Sequence, residues 1–120
     1  MPVTNFRELV AWQKAMDLVV EVYRLTRRFP TDELYGLASQ LRRAAVSVPS
    51  NIAEGQGRGI GNEFGRFLRI ALGSLQETQT QLLISERLRY VSRDELTPVL
   101  ALTDEVARVT KGLLASVTTN

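Results

Sequence analysis

Residues 33–54 read Glu33-Leu34-Tyr35-Gly36-Leu37-Ala38-Ser39-Gln40-Leu41-Arg42-Arg43-Ala44-Ala45-Val46-Ser47-Val48-Pro49-Ser50-Asn51-Ile52-Ala53-Glu54. Leu34, Leu37, Ala38, Leu41, Ala44, Ala45, Val48 and Ile52 recur at steps of three and four, the spacing that lines one face of an α-helix. Pro49 stands inside this stripe. A proline removes a backbone donor and crowds the preceding turn, so a kink is expected there. The stripe keeps its phase to Ile52, and the segment therefore reads as one kinked helix over 33–54. Its opposite face carries Ser39, Arg43, Val46, Ser47, Ser50, Ala53 and Glu54, mostly small residues with one outward valine. Exposed helix faces are usually rich in Lys and Glu. The strip is either a bland solvent face or a surface that another chain approaches, with Val46, Ser50 and Ala53 at the contact.

Toward the N-terminus, Asn5 and Glu8 have the spacing of a capping box and open a helix over 6–28. Trp12, Ala15, Met16, Val19, Val22, Tyr23 and Thr26 mark its predicted core face. Phe29-Pro30-Thr31-Asp32 ends it and offers a cap to the next helix. Toward the C-terminus, Gly55-Gln56-Gly57-Arg58-Gly59-Ile60-Gly61 reads as a break, with Gly55 as a helix C-terminal cap. A third helix follows Asn62 and runs over 62–89, its main face formed by Phe64, Phe67, Leu68, Ala71, Leu75, Thr78 and Leu82. Ser92 and Glu95 make a second capping box for a fourth helix over 93–118, unless Pro98 opens its regular part with Thr97 as cap. That helix carries two adjacent seams, one of Val99, Leu102, Val106, Val109 and Leu113, the other of Leu100, Thr103, Ala107, Thr110, Leu114 and Val117. Two seams suit a helix that touches two neighbours. Four long amphipathic helices with short connections predict an all-α, antiparallel up-down-up-down four-helix bundle, with residues 1–120 as one domain.

The third helix has more apolar residues than its core face needs. Ile70, Ile84 and Leu88 lie on one flank and Leu72 and Leu83 on the other, while Gly73 sits on the outer side. A mid-helix glycine costs about 1 kcal/mol relative to Ala unless packing needs the room. Apolar residues around most of a helix imply burial on several sides, which a 120-residue bundle does not supply alone, so self-association is expected.

Composition limits the chemistry. The chain has no Cys and no His, which removes disulfides, thiolate metal sites, Cys nucleophiles and His general bases. A di-iron bundle needs Glu-x-x-His pairs and fails on the same count. Asp17, Glu21, Glu77, Asp104 and Glu105 fall mostly on polar faces or flanks, so no catalytic residue, metal ligand or cofactor site is assigned and a non-enzymatic protein is expected, with no small-molecule substrate. No apolar run approaches a membrane span of about 18 residues. The opening Met1–Glu8 has no signal-peptide character, so a cytoplasmic location is expected. The alternating glycines of residues 55–61 match neither a dinucleotide fingerprint nor a Walker loop.

Thirteen of the fifteen basic residues are Arg, at a net charge of +2. Arginine's planar fork suits phosphates and carboxylates alike. Arg42, Arg43, Arg58, Arg66, Arg69 and Arg87 are the candidate contacts to an RNA or DNA backbone; ion pairing on a solvated face is the alternative. Aromatic interleaving is sparse, so backbone contact rather than base stacking is expected.

The stretch from Gln40 to Gly55, with Arg58 after it, resembles the signature of the bacterial four-helix bundle proteins related to those encoded in intervening sequences of 23S ribosomal RNA genes. Phe64-Gly65-Arg66-Phe67-Leu68-Arg69-Ile70-Ala71-Leu72-Gly73-Ser74-Leu75-Gln76-Glu77 and Phe6-Arg7-Glu8-Leu9-Val10-Ala11-Trp12 continue the resemblance over nearly the whole chain. Members are often labelled S23 ribosomal protein-like. The family is similar to the accessory proteins of diversity-generating retroelements, which implies a homopentameric ring and association with nucleic acid. The expectation is a self-assembling RNA-binding accessory protein; the alternative is a protein-interaction scaffold that binds no nucleic acid.

Overall fold

The computed structural model describes residues 5–59 and 62–118. Four helices account for most of them: α1 (Val10–Thr26), α2 (Leu37–Gly57), α3 (Asn62–Arg87) and α4 (Arg93–Thr118). Sequential helices pack side by side and α4 closes against α1, while the diagonal pairs stay apart at the backbone level. The result is an antiparallel four-helix bundle of about 47 × 25 × 19 Å. Each helix meets two neighbours, as its apolar arc requires.

Leu18, Leu41, Ile52, Leu68, Leu82, Leu96 and Val106 are fully buried at the bundle axis. On α1 the core line is Ala11, Ala15, Leu18, Val22, Leu25 and Thr26. This corrects the expected stripe, because Met16 and Tyr23 are 40% and 38% exposed. The apolar arc of α1 is wider than the core. Its centre falls on two alanines and two leucines, and the larger Trp12, Met16, Val19 and Tyr23 form the edge toward α2.

The start of the chain also differs from one continuous helix. Asn5 Oδ1 accepts from the Arg7 N–H at 2.9 Å and caps a single 3-10 turn, Phe6–Glu8. Leu9 is extended, and α1 begins after it.

Between α1 and α2, Thr31–Glu33 forms a 3-10 turn, and α2 starts at Leu37 rather than at residue 33. Leu34 therefore lies outside the helix and is exposed, not part of the core stripe. Neither Thr31 nor Asp32 caps α2. Glu33 does so, with Oε1 accepting from the Leu37 N–H at 2.9 Å and Oε2 accepting from the Tyr90 hydroxyl at 2.8 Å. A Cβ on Gly36 would lie 2.6 Å from that Oε1, so the absent side chain leaves room for the cap. Tyr90 in turn packs on Phe29, with ring centroids 5.3 Å apart.

α2 runs through Pro49 and on to Gly57, past the predicted end at residue 54. Gly55 is thus a buried helical residue, not a cap. A Cβ there would lie 2.8 Å from Phe67 Cβ and 3.3 Å from the Phe64 carbonyl oxygen, so glycine sets how closely α2 and α3 approach. Gly59, with φ 103°, is the left-handed residue after the helix, and Ile60 and Gly61 lie outside the described residues.

α3 ends at Arg87, two residues short of the expected limit. Tyr90 N–H donates to the Ser85 carbonyl and Arg89 N–H to the Glu86 carbonyl, both at 2.9 Å, with Arg89 left-handed at φ 65°. This is a Schellman closure with arginine where glycine is usual. α4 begins at Arg93 under the expected reciprocal cap, Ser92 N–H to Glu95 Oε1 at 3.0 Å and Glu95 N–H to Ser92 Oγ at 3.1 Å. Thr97 instead donates to the Arg93 carbonyl inside the helix.

Candidate functional site

The six candidate arginines do not converge. Arg58 and Arg66 flank Phe67 where α2 gives way to α3, their guanidinium carbons 5.3 and 4.6 Å from the ring centroid. Each also pairs with an acid on its own helix, Arg58 with Glu54 at 3.0 Å and Arg66 with Glu63 at 3.3 Å. Arg69 borders a groove between α3 and α4, with Leu72 and Gly73 beside it. Arg87 lies twenty-one residues beyond Arg66 on α3, roughly 31 Å away at 1.5 Å per residue. Arg42 and Arg43 stand on α2, at the outer groove that α2 forms with α1. Arg43, Arg69 and Arg87 are exposed and make no ion pair among the described residues.

The candidate contact residues divide the same way. Val46, Ser50 and Ala53 line a second, separate hollow between α1 and α2, with Trp12, Met16, Val19 and Pro49. Ser50 is exposed, and its hydroxyl donates to the Val46 carbonyl at 2.8 Å. Ile70, Leu83 and Ile84 are exposed on α3 and Leu88 is exposed in the turn that follows it, whereas Leu72 is half-buried at the α4 side of α3. Among the described residues, nothing beyond its own stretch of helix would lie within 4 Å of a Cβ on Gly73. Ser47 does not belong to the outward strip. Its hydroxyl bonds Ser74 on α3 at 2.8 Å, and Asn51 Nδ2 donates to the same oxygen at 2.9 Å.

Periodicity assigns no role to Tyr35 and places Tyr23 on the core face, yet both are exposed. Tyr35, 93% exposed, and Tyr23 line the α1–α2 groove together with Arg42 and Arg43. Aromatic and basic side chains do share a surface here. Nothing in the periodicity marks Tyr35, since it stands in the turn before α2.

Perturbed titration, a common sign of catalytic groups, occurs at Glu33 and Tyr90. The Leu37 N–H, and then the Tyr90 hydroxyl, hold the Glu33 carboxyl below its ordinary range. The Glu33 hydrogen bond, followed by desolvation, pushes the Tyr90 hydroxyl up. Both belong to the α2 cap. Among the described residues no three carboxylates gather as a metal site would require, and no helix is long and apolar enough to cross a membrane.

Arginines and apolar side chains thus share the outer faces of the helical bundle. Residues 7–112 match the model of the 23S rRNA-intervening sequence protein family, and the chain belongs to that family. Its fold is similar to the 1.70 Å crystal structure of a protein of unknown function from the S23 ribosomal protein family of Bacteroides thetaiotaomicron. That similarity has a TM-score of 0.80 at 21% identity and covers 88% of this chain and 95% of the other. No curated protein matches the chain significantly.

Proposed function

We propose that the protein is a non-enzymatic, self-assembling helical bundle that associates with RNA in the cytoplasm. The observation that carries this reading is the composition of its outer faces, where exposed Val46, Ile70, Ile84 and Leu88 accompany Arg43, Arg69 and Arg87, three arginines with no ion pair among the described residues. Apolar side chains on two faces favour subunit contacts, and the family resemblance favours five subunits in a ring. A ring repeats each unpaired arginine once per subunit, which multiplies weak phosphate contacts.

The ion pairs of Arg58 and Arg66 favour a second reading, a scaffold that binds protein alone. Salt separates the two. Affinity for RNA falls steeply and linearly on a log–log plot when phosphates are contacted. Arg69→Glu and Arg87→Glu each weaken binding and flatten that slope if the proposal holds. Variants that bind RNA as the parent does would contradict these contacts, and a parent without affinity at low salt would leave the scaffold.

A further inference from the structure

The α1–α2 groove has a composition that neither the core nor the caps explain. It encloses about 620 Å³ and is open to solvent, within the range of small-ligand sites. Its lining includes Tyr23, Leu34, Tyr35, Arg42, Arg43 and Val46, and no acidic residue. Arg42 is fixed: its Nε donates to Thr26 Oγ1 at 2.8 Å, and its guanidinium carbon lies 4.9 Å from the Tyr23 ring centroid. That anchoring uses one N–H and leaves the terminal nitrogens of the fork for a ligand. Arg43 pairs with no acid among the described residues. Tyr35 presents nearly its whole ring to water beside them.

The chemistry this combination fits is an anion joined to a flat aromatic group. Guanidinium forks take phosphate oxygens in pairs, and an exposed phenol ring offers a stacking face to any base. An acidic peptide would satisfy the arginines but give the Tyr35 ring no planar partner. We propose that this groove binds an unpaired nucleotide of single-stranded RNA, with the base stacked on Tyr35 and the phosphate held by Arg42 and Arg43. The proposal rests on the RNA reading above and adds to it a place and a preference for unpaired strands. It also revises the expectation of purely backbone-driven contact.

The test is fluorescence anisotropy of the full-length protein with a labelled RNA oligonucleotide, single-stranded or annealed to its complement. Stacking of one base is worth about 1–3 kcal/mol, so Tyr35→Ala is expected to weaken single-strand binding by roughly 5- to 150-fold. Tyr35→Phe, which keeps the ring, is expected to bind as the parent does. Arg43→Ala is expected to lower the salt slope by about one. Tyr35 is too exposed for its loss to unfold the bundle, and light scattering on the variant checks the assembly. A parent that binds no RNA contradicts both this site and the RNA reading. A parent that binds while Tyr35→Ala binds equally well, or a duplex bound as tightly as the single strand, overturns the groove and leaves the RNA reading standing. A Tyr35→Ala protein that loses binding together with its assembled mass also overturns it, because the groove is then covered by a second copy of the chain.

Discussion

Along the seam between α2 and α3, a hydrogen atom is all that fits at Gly55, with Phe67 and Phe64 pressed against it. On the outer side of α3, Gly73 faces open space. The two glycines cost the same in helix propensity, and only the first recovers that cost within one chain. The same contrast holds for the neighbouring side chains. Ser47, Ser74 and Asn51 satisfy one another across the seam, while Ile70, Ile84 and Leu88 are left exposed outside. The seam is closed within one chain, and the outer faces leave apolar side chains open to solvent.

The largest expected effect comes from breaking the seam. Gly55→Ala forces α2 away from Phe67 Cβ, which cannot move independently of the α3 backbone. Overpacking of this kind costs about 1–3 kcal/mol, so the urea midpoint falls even though alanine is the better helix former. Next, Ser74→Ala leaves Ser47 without its cross-helix partner and is expected to cost about 1 kcal/mol by the same measurement. Gly73→Ala changes sign: with nothing near the new methyl group, the fold gains about 1 kcal/mol. Ile84→Glu sharpens the contrast further. Its effect on folding stays within about 0.5 kcal/mol, as for other exposed sites, while the assembled mass drops.

The smallest effect concerns the α2 cap. Glu33 has a lowered folded pKa, so its contribution is complete above the ordinary carboxylate value of 4.5 and is lost as pH falls through the folded value. Glu33→Gln therefore differs most from the parent near neutral pH. Urea midpoints of the two proteins draw together as the solution is acidified, and a constant gap would show that Glu33 acts through shape alone.

Helix number and packing order were legible because apolar residues recur at helical spacing, and Ser92 with Glu95 marked the start of α4 in both sequence and structure. What periodicity could not give was the centre of a wide arc. On α1 the buried Ala11 and Ala15 are small and weigh little in a pattern, whereas Trp12, Met16 and Tyr23 are large and sit at its edge. Leu34 fell in phase with a helix that had not yet begun, because Gly36 and the Glu33 cap place its start at Leu37. Gly55 looked like punctuation before a glycine-rich run, and only the closeness of Phe64 and Phe67 gives it a packing role.

The surface was read less well for a related reason. Arg42, the Arg58–Arg66 pair beside Phe67, and Arg87 stand on three separate parts of the bundle, a spread that no local pattern in the sequence announces. The meeting of Tyr23 with Tyr35, Arg42 and Arg43 depends on how α1 lies beside α2, so no local pattern announces it.

The claim that one bundle is a unit of a larger assembly is tested most directly by light scattering coupled to gel filtration at micromolar concentration. The expected molar mass is a multiple of 13.4 kDa, with Ile84→Glu shifted toward the single chain. A parent protein that elutes as one stable 13.4 kDa species would contradict it.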